Sequence, residues 1–157
     1  MSHLYLTLKL MHVIGATVLF GTGLGIAFFM FMANRTRDPA TIAHTARTVV
    51  IADAVFIATA VVLQPLTGWG MAVMTGVSLF HFWMRATLVL YIFVGLCWLP
   101  VVWIQTRMRD LAAAAARDGT ALPPRYFSYY KAWFGLGWPA FAGVIAIFVL
   151  MLWKPQW

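Results

Sequence analysis

The sequence predicts an all-α fold, a transmembrane up-and-down four-helix bundle, and its composition and apolar stretches carry that prediction. The 157 residues are 63% hydrophobic and 10% charged, whereas a soluble domain carries about 25% charged residues. The apolar residues form four nearly uncharged stretches, each long enough for the roughly 20 residues that a helix needs to cross a bilayer. Because these stretches occupy most of the chain, we expect a single membrane domain, residues 1–157.

The first two helices are predicted at residues 4–33 and 47–67. No Asp, Glu, Lys or Arg occurs in residues 10–34, so the first span is uninterrupted. Proline and glycine are the usual signals for the end of a helix, so we expect Pro65 and Gly68 to end the second span at the membrane surface.

The third and fourth helices are predicted at residues 78–116 and 130–153. A run of five alanines before Arg117 is expected to extend the third helix beyond the membrane, because alanine has the highest helix propensity. Pro123 and Pro124 then separate it from the fourth helix. Aromatic residues after the two prolines predict a belt at the membrane surface before the fourth helix begins.

Basic residues concentrate in two of the three connections. Eight of the eleven lysines and arginines flank the first and third connections, which share one side of an up-and-down bundle. The positive-inside rule assigns that side to the cytoplasm. We therefore expect a multi-pass protein of the bacterial inner (cytoplasmic) membrane with both termini in the periplasm. The net charge of +7 is a signal of topology and implies no nucleic-acid partner. The eight residues are Arg35, Arg37, Arg47, Arg107, Arg109, Arg117, Arg125 and Lys131.

The three remaining cations lie on the opposite side, at the level of two histidines. His12 lies one or two turns inside the first span, where a polar side chain is costly without a partner. Lys9 shares its helix face, and His81 and Arg85 share a face in the same way. Lys154 closes the fourth helix at this level. No aspartate accompanies these cations, so we expect an anion that the chain itself does not supply. Gln64 and Thr67 of the second helix lie at the same level.

A haem b would supply both the metal and the anionic groups that this cluster calls for. Neutral imidazole is the commonest metal ligand, so His12 is expected to bind the iron, with His81 as the candidate second ligand. Arg85, with Lys9 or Lys154, would hold the propionates through charge-assisted hydrogen bonds. The alternative is structural: the lysines reach the membrane surface, His81 is interfacial, and a neighbouring helix satisfies His12.

Two further features of the spans leave alternatives open. Asp53 interrupts the second span, and an intramembrane aspartate normally pairs with a cation or a hydroxyl. We expect an ion pair with an arginine of a neighbouring helix; the alternative is a proton relay or a site for a quinone head group. In the first helix, Gly15, Gly21, Gly23 and Gly25 allow close approach either of another helix backbone or of a flat ligand.

Short motifs in all four predicted helices match a known family. The matching stretches are Lys9–Gly15, Gln64–Gly68, Leu90–Tyr91, Trp98–Pro100, Pro139–Phe141, Leu150–Met151 and Lys154–Pro155. On these motifs the chain resembles a family of small bacterial integral membrane proteins of unknown function. It is distantly similar to a broader four-helix group that includes the HemJ-type protoporphyrinogen oxidases and the copper-resistance D proteins. HemJ-type proteins begin with a Lys-x-x-His-like first helix whose histidine binds haem b, and the resemblance implies that role for His12.

The same resemblance extends to two basic residues. The third helix of HemJ-type proteins has a lysine where this chain has Arg85, and their second helix has an arginine near its start where this chain has Arg47. This chain lacks their long Arg-Arg-Leu-Tyr stretch. The resemblance therefore implies the haem site rather than the oxidase activity.

The expected function is that of a haem-b-binding inner-membrane protein with a redox role. Electron transfer to or from quinone is one form of that role and porphyrinogen oxidation is another, so activity as a haem-dependent membrane oxidoreductase stays open. The alternative is a non-catalytic membrane subunit or a small transporter without haem. Expected partners are the lipid bilayer, a quinone or a porphyrin, and either a second copy of the chain or a larger membrane complex.

Overall fold

Four long helices in up-and-down order form the protein. The computed structural model describes residues 2–155, and each of its four long helices is long and apolar enough to cross a membrane. No strand occurs in this part of the chain. The predicted all-α four-helix fold is confirmed. The helices are α1 (His3–Thr36), α2 (Pro39–Thr75), α3 (Phe82–Asp118) and α4 (Pro124–Trp153).

Two contacts identify the two ends of the bundle. At the end that carries the α1–α2 and α3–α4 connections, here called the basic end, Tyr126 Oη donates to Asn34 Oδ1 at 2.8 Å and joins α4 to α1. At the opposite end, Lys154 Nζ lies 5.5 Å from the centroid of the Trp83 ring and joins α4 to the start of α3. Both contacts are those of antiparallel neighbours.

The buried core lies in the half of the bundle next to the basic end. There the first half of α2 packs on α3, and α1 and α4 close the core around them. In the other half, α1 pairs with α2 and α3 pairs with α4. The Phe20 and Phe141 rings, with centroids 5.7 Å apart, join the two pairs. The core residues include Ile26, Met30, Ile42, Val49, Ile104, Met108, Tyr126 and Trp133.

Helix α2 is longer at both ends than the predicted 47–67. It begins at Pro39, where Asp38 caps it by accepting from the backbone amides of Ala40 and Thr41. It ends at Gly76, whose left-handed conformation (φ 65°) is the usual helix stop. The prediction that Pro65 and Gly68 end the helix is wrong.

A hydrogen bond from α3 explains why α2 continues through Pro65. Proline has no N–H, so the carbonyl oxygen of Val61, four residues earlier, loses its helical donor. Tyr91 Oη of α3 donates to that carbonyl instead. Inside a membrane, helical proline is tolerated where a neighbouring helix satisfies the freed backbone group. The same bond joins the two helix pairs.

The predicted bounds 4–33, 78–116 and 130–153 differ from the observed helices mainly at the helix starts. Helix α3 begins only at Phe82, and it continues to Asp118 before Gly119 ends it, so the prediction that the alanine run is helical is confirmed. Helix α4 begins already at Pro124, because proline at the first position of a helix sacrifices no hydrogen bond. The aromatic belt therefore lies within the first turns of α4.

Candidate functional site

His12 of α1 faces α2, where its ring contacts a threonine hydroxyl. His12 Nδ1 lies 2.8 Å from Thr67 Oγ1, and Thr67 is only 3% exposed. The same hydroxyl donates to the carbonyl oxygen of Leu63 at 2.7 Å, a common bond of helical threonine. When the one proton of this hydroxyl points to the Leu63 carbonyl, Thr67 Oγ1 accepts from Nδ1–H. The lone pair of Nε2 is then free to bind a metal.

Gln64 and two glycines complete the contact between α1 and α2 around His12. Gln64 Nε2 donates to the backbone oxygen of His12 at 2.8 Å. A Cβ added at Gly15 would lie 2.6 Å from Gln64 Nε2, and one at Gly68 would lie 3.4 Å from His12 Cε1. Glycine at position 15 makes room for the Gln64 amide and so serves helix packing, whereas a Cβ at Gly68 would make an ordinary van der Waals contact with the imidazole ring.

Gly21 and Gly25 do not contact a second helix backbone within the described residues. A Cβ at Gly21 would meet no heavy atom within 4 Å, and one at Gly25 would meet only the Phe29 ring of its own helix, 4.0 Å away. The close helix contact that their spacing predicts is therefore not formed inside this chain. These two glycines leave an open surface on α1.

His81 and Arg85 lie at the start of α3, and Lys154 lies at the end of α4. The side chains of His81 and Arg85 are exposed, and the backbone oxygen of His81 accepts from the amide of Arg85 at 3.1 Å. Lys154 stacks over Trp83, a cation–π contact with a ring that is only 6% exposed. These residues belong to the α3–α4 pair, whereas Lys9 and His12 belong to the α1–α2 pair.

The structure thus places the predicted site residues in two groups at the same end of the bundle. Within residues 2–155, no hydrogen bond joins His12 to His81 or Arg85, and no three His, Cys, Asp or Glu side chains form a metal-binding group. Haem iron needs only one or two axial side chains. A haem held by His12 and Arg85 would have to bridge the two helix pairs.

The cations at this end have no acidic partner in the part of the chain that the structure describes. Among the described residues, Arg109 and Asp110 form an ion pair at 2.7 Å. This pair lies in the extension of α3 near the basic end, which is the opposite end of the bundle. Lys9, Arg85 and Lys154 form no ion pair with an aspartate. Their charges therefore remain available to an anionic ligand or to lipid phosphate.

Two open grooves follow the seam between α1 and α2. The larger has a volume of about 420 Å³ and the smaller about 270 Å³, and Phe56 lines both. His12 lines neither groove, so neither groove is part of the candidate site around His12. Their lining includes Thr22, Gly25, His44 and Thr48 in the larger groove and Met11, Gly15 and Thr59 in the smaller one.

Asp53 does not form the predicted ion pair. It is 3% exposed, and Trp98 Nε1 of α3 donates to its Oδ1 at 3.0 Å. With the Gln105 amide oriented so that its oxygen accepts from Trp133 Nε1 at 3.1 Å, its nitrogen donates to Asp53 Oδ2 at 2.8 Å. The prediction of an arginine partner is wrong because uncharged N–H donors already occupy both carboxyl oxygens. The sequence around Asp53 does not predict the part played by Trp133, because Trp133 lies on α4, two connections further along the chain.

Nearly the whole described chain matches one family of membrane proteins. A family model described as predicted integral membrane protein (DUF2269) matches residues 6–155, which includes nearly all of the four helices. The chain belongs to this family. As a DUF2269 protein it is an integral membrane protein, and the lipid bilayer is its surroundings. No curated protein and no solved structure matches the chain. The similarity of this DUF2269 protein to HemJ-type proteins therefore stays a prediction.

Proposed function

We propose that this DUF2269 protein binds haem b in the membrane and has a redox role, with His12 as the axial ligand. The observation that supports the proposal is the hydrogen bond between His12 Nδ1 and Thr67 Oγ1. A metal-binding histidine usually donates its other N–H to a neighbouring oxygen, which fixes the tautomer and orients the ring. When bound, haem supplies an iron that gains and loses one electron.

The residues around His12 suit the group in two respects. Thr67, itself bound to the Leu63 carbonyl, holds the imidazole in the tautomer with a free Nε2. Lys9 and Arg85 offer positive charge without acidic partners among the described residues, as two propionates require. We assign Arg85 as the main propionate anchor, with Lys9 and Lys154 as supporting cations and His81 as the second ligand.

The redox role that we propose is electron transfer to or from a quinone, with porphyrinogen oxidation as a specific variant. Both partners are hydrophobic molecules that would reach the protein through the bilayer, and all four helices of this chain are long and apolar enough to cross one. We further propose that the protein lies in the bacterial inner membrane, with both termini in the periplasm.

One observation also favours a second candidate, a non-catalytic membrane subunit or a small transporter without haem. His12 Nδ1 and the His12 carbonyl both have hydrogen-bond partners on α2. A histidine that joins two helices in this way has its polar partner inside the protein, so it is tolerated in a membrane span without a ligand.

The absorption spectrum of the purified protein, expressed with an adequate haem supply, distinguishes the two candidates. We expect a Soret band in the wild type, and its loss or strong shift in His12→Ala, because the axial bond sets both affinity and electronic state. Thr67→Val keeps the side-chain volume but removes the acceptor for Nδ1–H, and we expect haem affinity to fall by about 10–100-fold. His44→Ala is the matched control, since His44 is exposed at the basic end.

Two further results would complete the test. A low-spin, six-coordinate spectrum that changes in His81→Ala while haem is retained would make His81 the second ligand. Wild-type protein that carries no haem, and takes up none on reconstitution, would overturn the haem proposal and leave the subunit as the better candidate.

A further inference from the structure

Asp53 is a buried acid with uncharged partners. The chain has four carboxyl side chains and no glutamate, and the other three, Asp38, Asp110 and Asp118, are exposed. Asp53 lies in the core of the bundle at the start of a five-residue π-helical segment of α2, Asp53–Ile57. Such segments interrupt the regular helix and occur frequently at functional sites.

Two N–H groups donate to the Asp53 carboxyl group, and a third fixes the orientation of one of them. An indole nitrogen can only donate, so Trp133 Nε1 fixes the orientation of the Gln105 amide, and that amide in turn donates to Oδ2. Trp98 Nε1 donates to Oδ1. Every hydrogen bond of this network is therefore satisfied when the carboxyl group is ionised.

The charge of the ionised form has no counterpart in the network. A buried charge without a cation is strongly unfavourable, and such a group can be neutralised by taking up a proton. A proton on Oδ2 would face the Gln105 nitrogen, and rotation of the amide would bring that nitrogen against Trp133 Nε1. The ionised form thus keeps every hydrogen bond of the network but buries a charge. The protonated form removes the charge but loses hydrogen bonds, so each state has one cost.

Within residues 2–155, the titratable side chains on the surrounding helices do not offset the charge of Asp53. Helix α1 carries no ionisable side chain between His12 and Arg35. On α4, Tyr130 stacks on Trp133 with ring centroids 6.0 Å apart. On α3, Arg107 is exposed and lies over the Trp103 ring, 5.4 Å from its centroid.

Three further ionisable side chains, on α2 and α3, also form no hydrogen bond with the Asp53 carboxyl group. Cys97 is buried next to Trp98, Tyr91 donates to Val61, and Arg47 is exposed one and a half turns before Asp53 on α2. Within residues 2–155, no cation forms an ion pair with Asp53.

We propose that Asp53 is a reversible proton-binding site inside the membrane, with Trp98 and Gln105 as the groups that set its affinity. The reaction is the addition of one proton to the carboxylate, –COO⁻ + H⁺ → –COOH, with no other reactant. The proposal does not depend on haem, because the site lies in the core half of the bundle and involves none of the residues around His12.

Infrared spectroscopy of the full-length protein in lipid vesicles tests this proposal, since a protonated carboxylic acid has a carbonyl stretch separate from the carboxylate bands. We expect a band of this kind to appear as the pH falls, within the range in which the helical signal is retained. Asp53→Asn should remove the band. Asp110→Asn, which alters an exposed carboxylate, should leave it unchanged.

A second variant keeps the test decisive if Asp53→Asn does not fold. Trp98→Phe removes one donor to the ionised form, so the midpoint of the titration should move to higher pH by about one unit or more. Trp138→Phe alters an indole that is 68% exposed and should cause no shift. A wild-type spectrum without a titrating buried band, or a band that ignores both Asp53→Asn and Trp98→Phe, would overturn the proposal.

Discussion

Polar side chains inside this bundle are held by partners on a neighbouring helix. Thr67 Oγ1 of α2 is hydrogen-bonded to His12 Nδ1 of α1, and Tyr91 of α3 donates to the Val61 carbonyl of α2. Trp98 of α3 donates to Asp53 of α2. A bilayer offers no water to satisfy such groups, so each must find its partner in the protein. At the scale of the residue, these pairs determine which polar atoms already have a hydrogen-bond partner and which remain able to bind a ligand or a proton.

Asp38 offers a pH-dependent test of one such contact outside the spans. The Thr41 hydroxyl and amide donate to Asp38 Oδ2 at 2.6 and 2.8 Å, and these bonds hold the pKa of Asp38 below its ordinary value. Because the pKa is lower in the folded state, the cap stabilises the protein at pH values above the unfolded pKa, and this contribution is lost as the pH falls through the folded pKa. We expect Asp38→Ala to lower the midpoint of thermal unfolding at neutral pH and to have little effect in strongly acidic solution.

Thermal unfolding in detergent, followed by circular dichroism at both pH values, measures this difference. Asp118→Ala is the control, because a negative charge at the end of a helix is not a cap and its removal should not destabilise the protein. An equal loss of stability by Asp38→Ala at neutral and at acid pH would show that the carboxylate does not act through its hydrogen bonds.

At the scale of the element, local signals set most helix ends, and close contacts set how helices meet. Asp38 begins α2, and glycines in the left-handed conformation end α2 and α3 at Gly76 and Gly119. Pro65, by contrast, ends nothing, since α3 supplies the missing donor. The contact between α3 and α4 also depends on a glycine. A Cβ at Gly143 would lie 2.6 Å from Val94 Cγ2.

We expect Gly143→Ala to destabilise the protein by about 1–3 kcal/mol, since extra volume in a close contact forces the backbone to shift. Val94 is β-branched and cannot easily rotate its methyl group away. Gly137→Ala, on the same helix, is the matched control. A Cβ there meets nothing within 4 Å, and alanine favours the helix by up to about 1 kcal/mol. Thermal unfolding in detergent compares the two variants, and equal stabilities would argue against a close contact at Gly143.

At the scale of the whole molecule, the bundle has one closely packed half and one half that divides into two helix pairs. The core lies next to the basic end, where all four helices contribute buried residues. His12 and Thr67 lie in the other half, between α1 and α2. Large apolar side chains remain exposed along the helices, as expected for a surface that faces lipid: Val89 is 66% exposed and Leu96 65%.

Reporter fusions test the orientation that the basic residues predict. A reporter after Pro155 should be active only as a periplasmic fusion, and one at Arg117 only as a cytoplasmic fusion, because the first and third connections carry most of the positive charge. The pair of fusions forms its own control. A cytoplasmic signal after Pro155 together with a periplasmic signal at Arg117 would reverse the orientation and move the His12 group to the cytoplasmic side.

The sequence by itself determined that this is a four-helix membrane protein, because hydrophobicity and span length are properties of each segment alone. It also placed Gln64 and Thr67 at the level of His12, since depth follows from position along a helix. Only the tertiary structure decided that Thr67 is the hydrogen-bond partner of His12, that Tyr91 lets α2 pass through Pro65, and that Asp53 accepts from one indole and one amide instead of an arginine. The physical reason is that these contacts depend on how the helices rotate and pair, and a hydrogen bond forms only over about 3 Å.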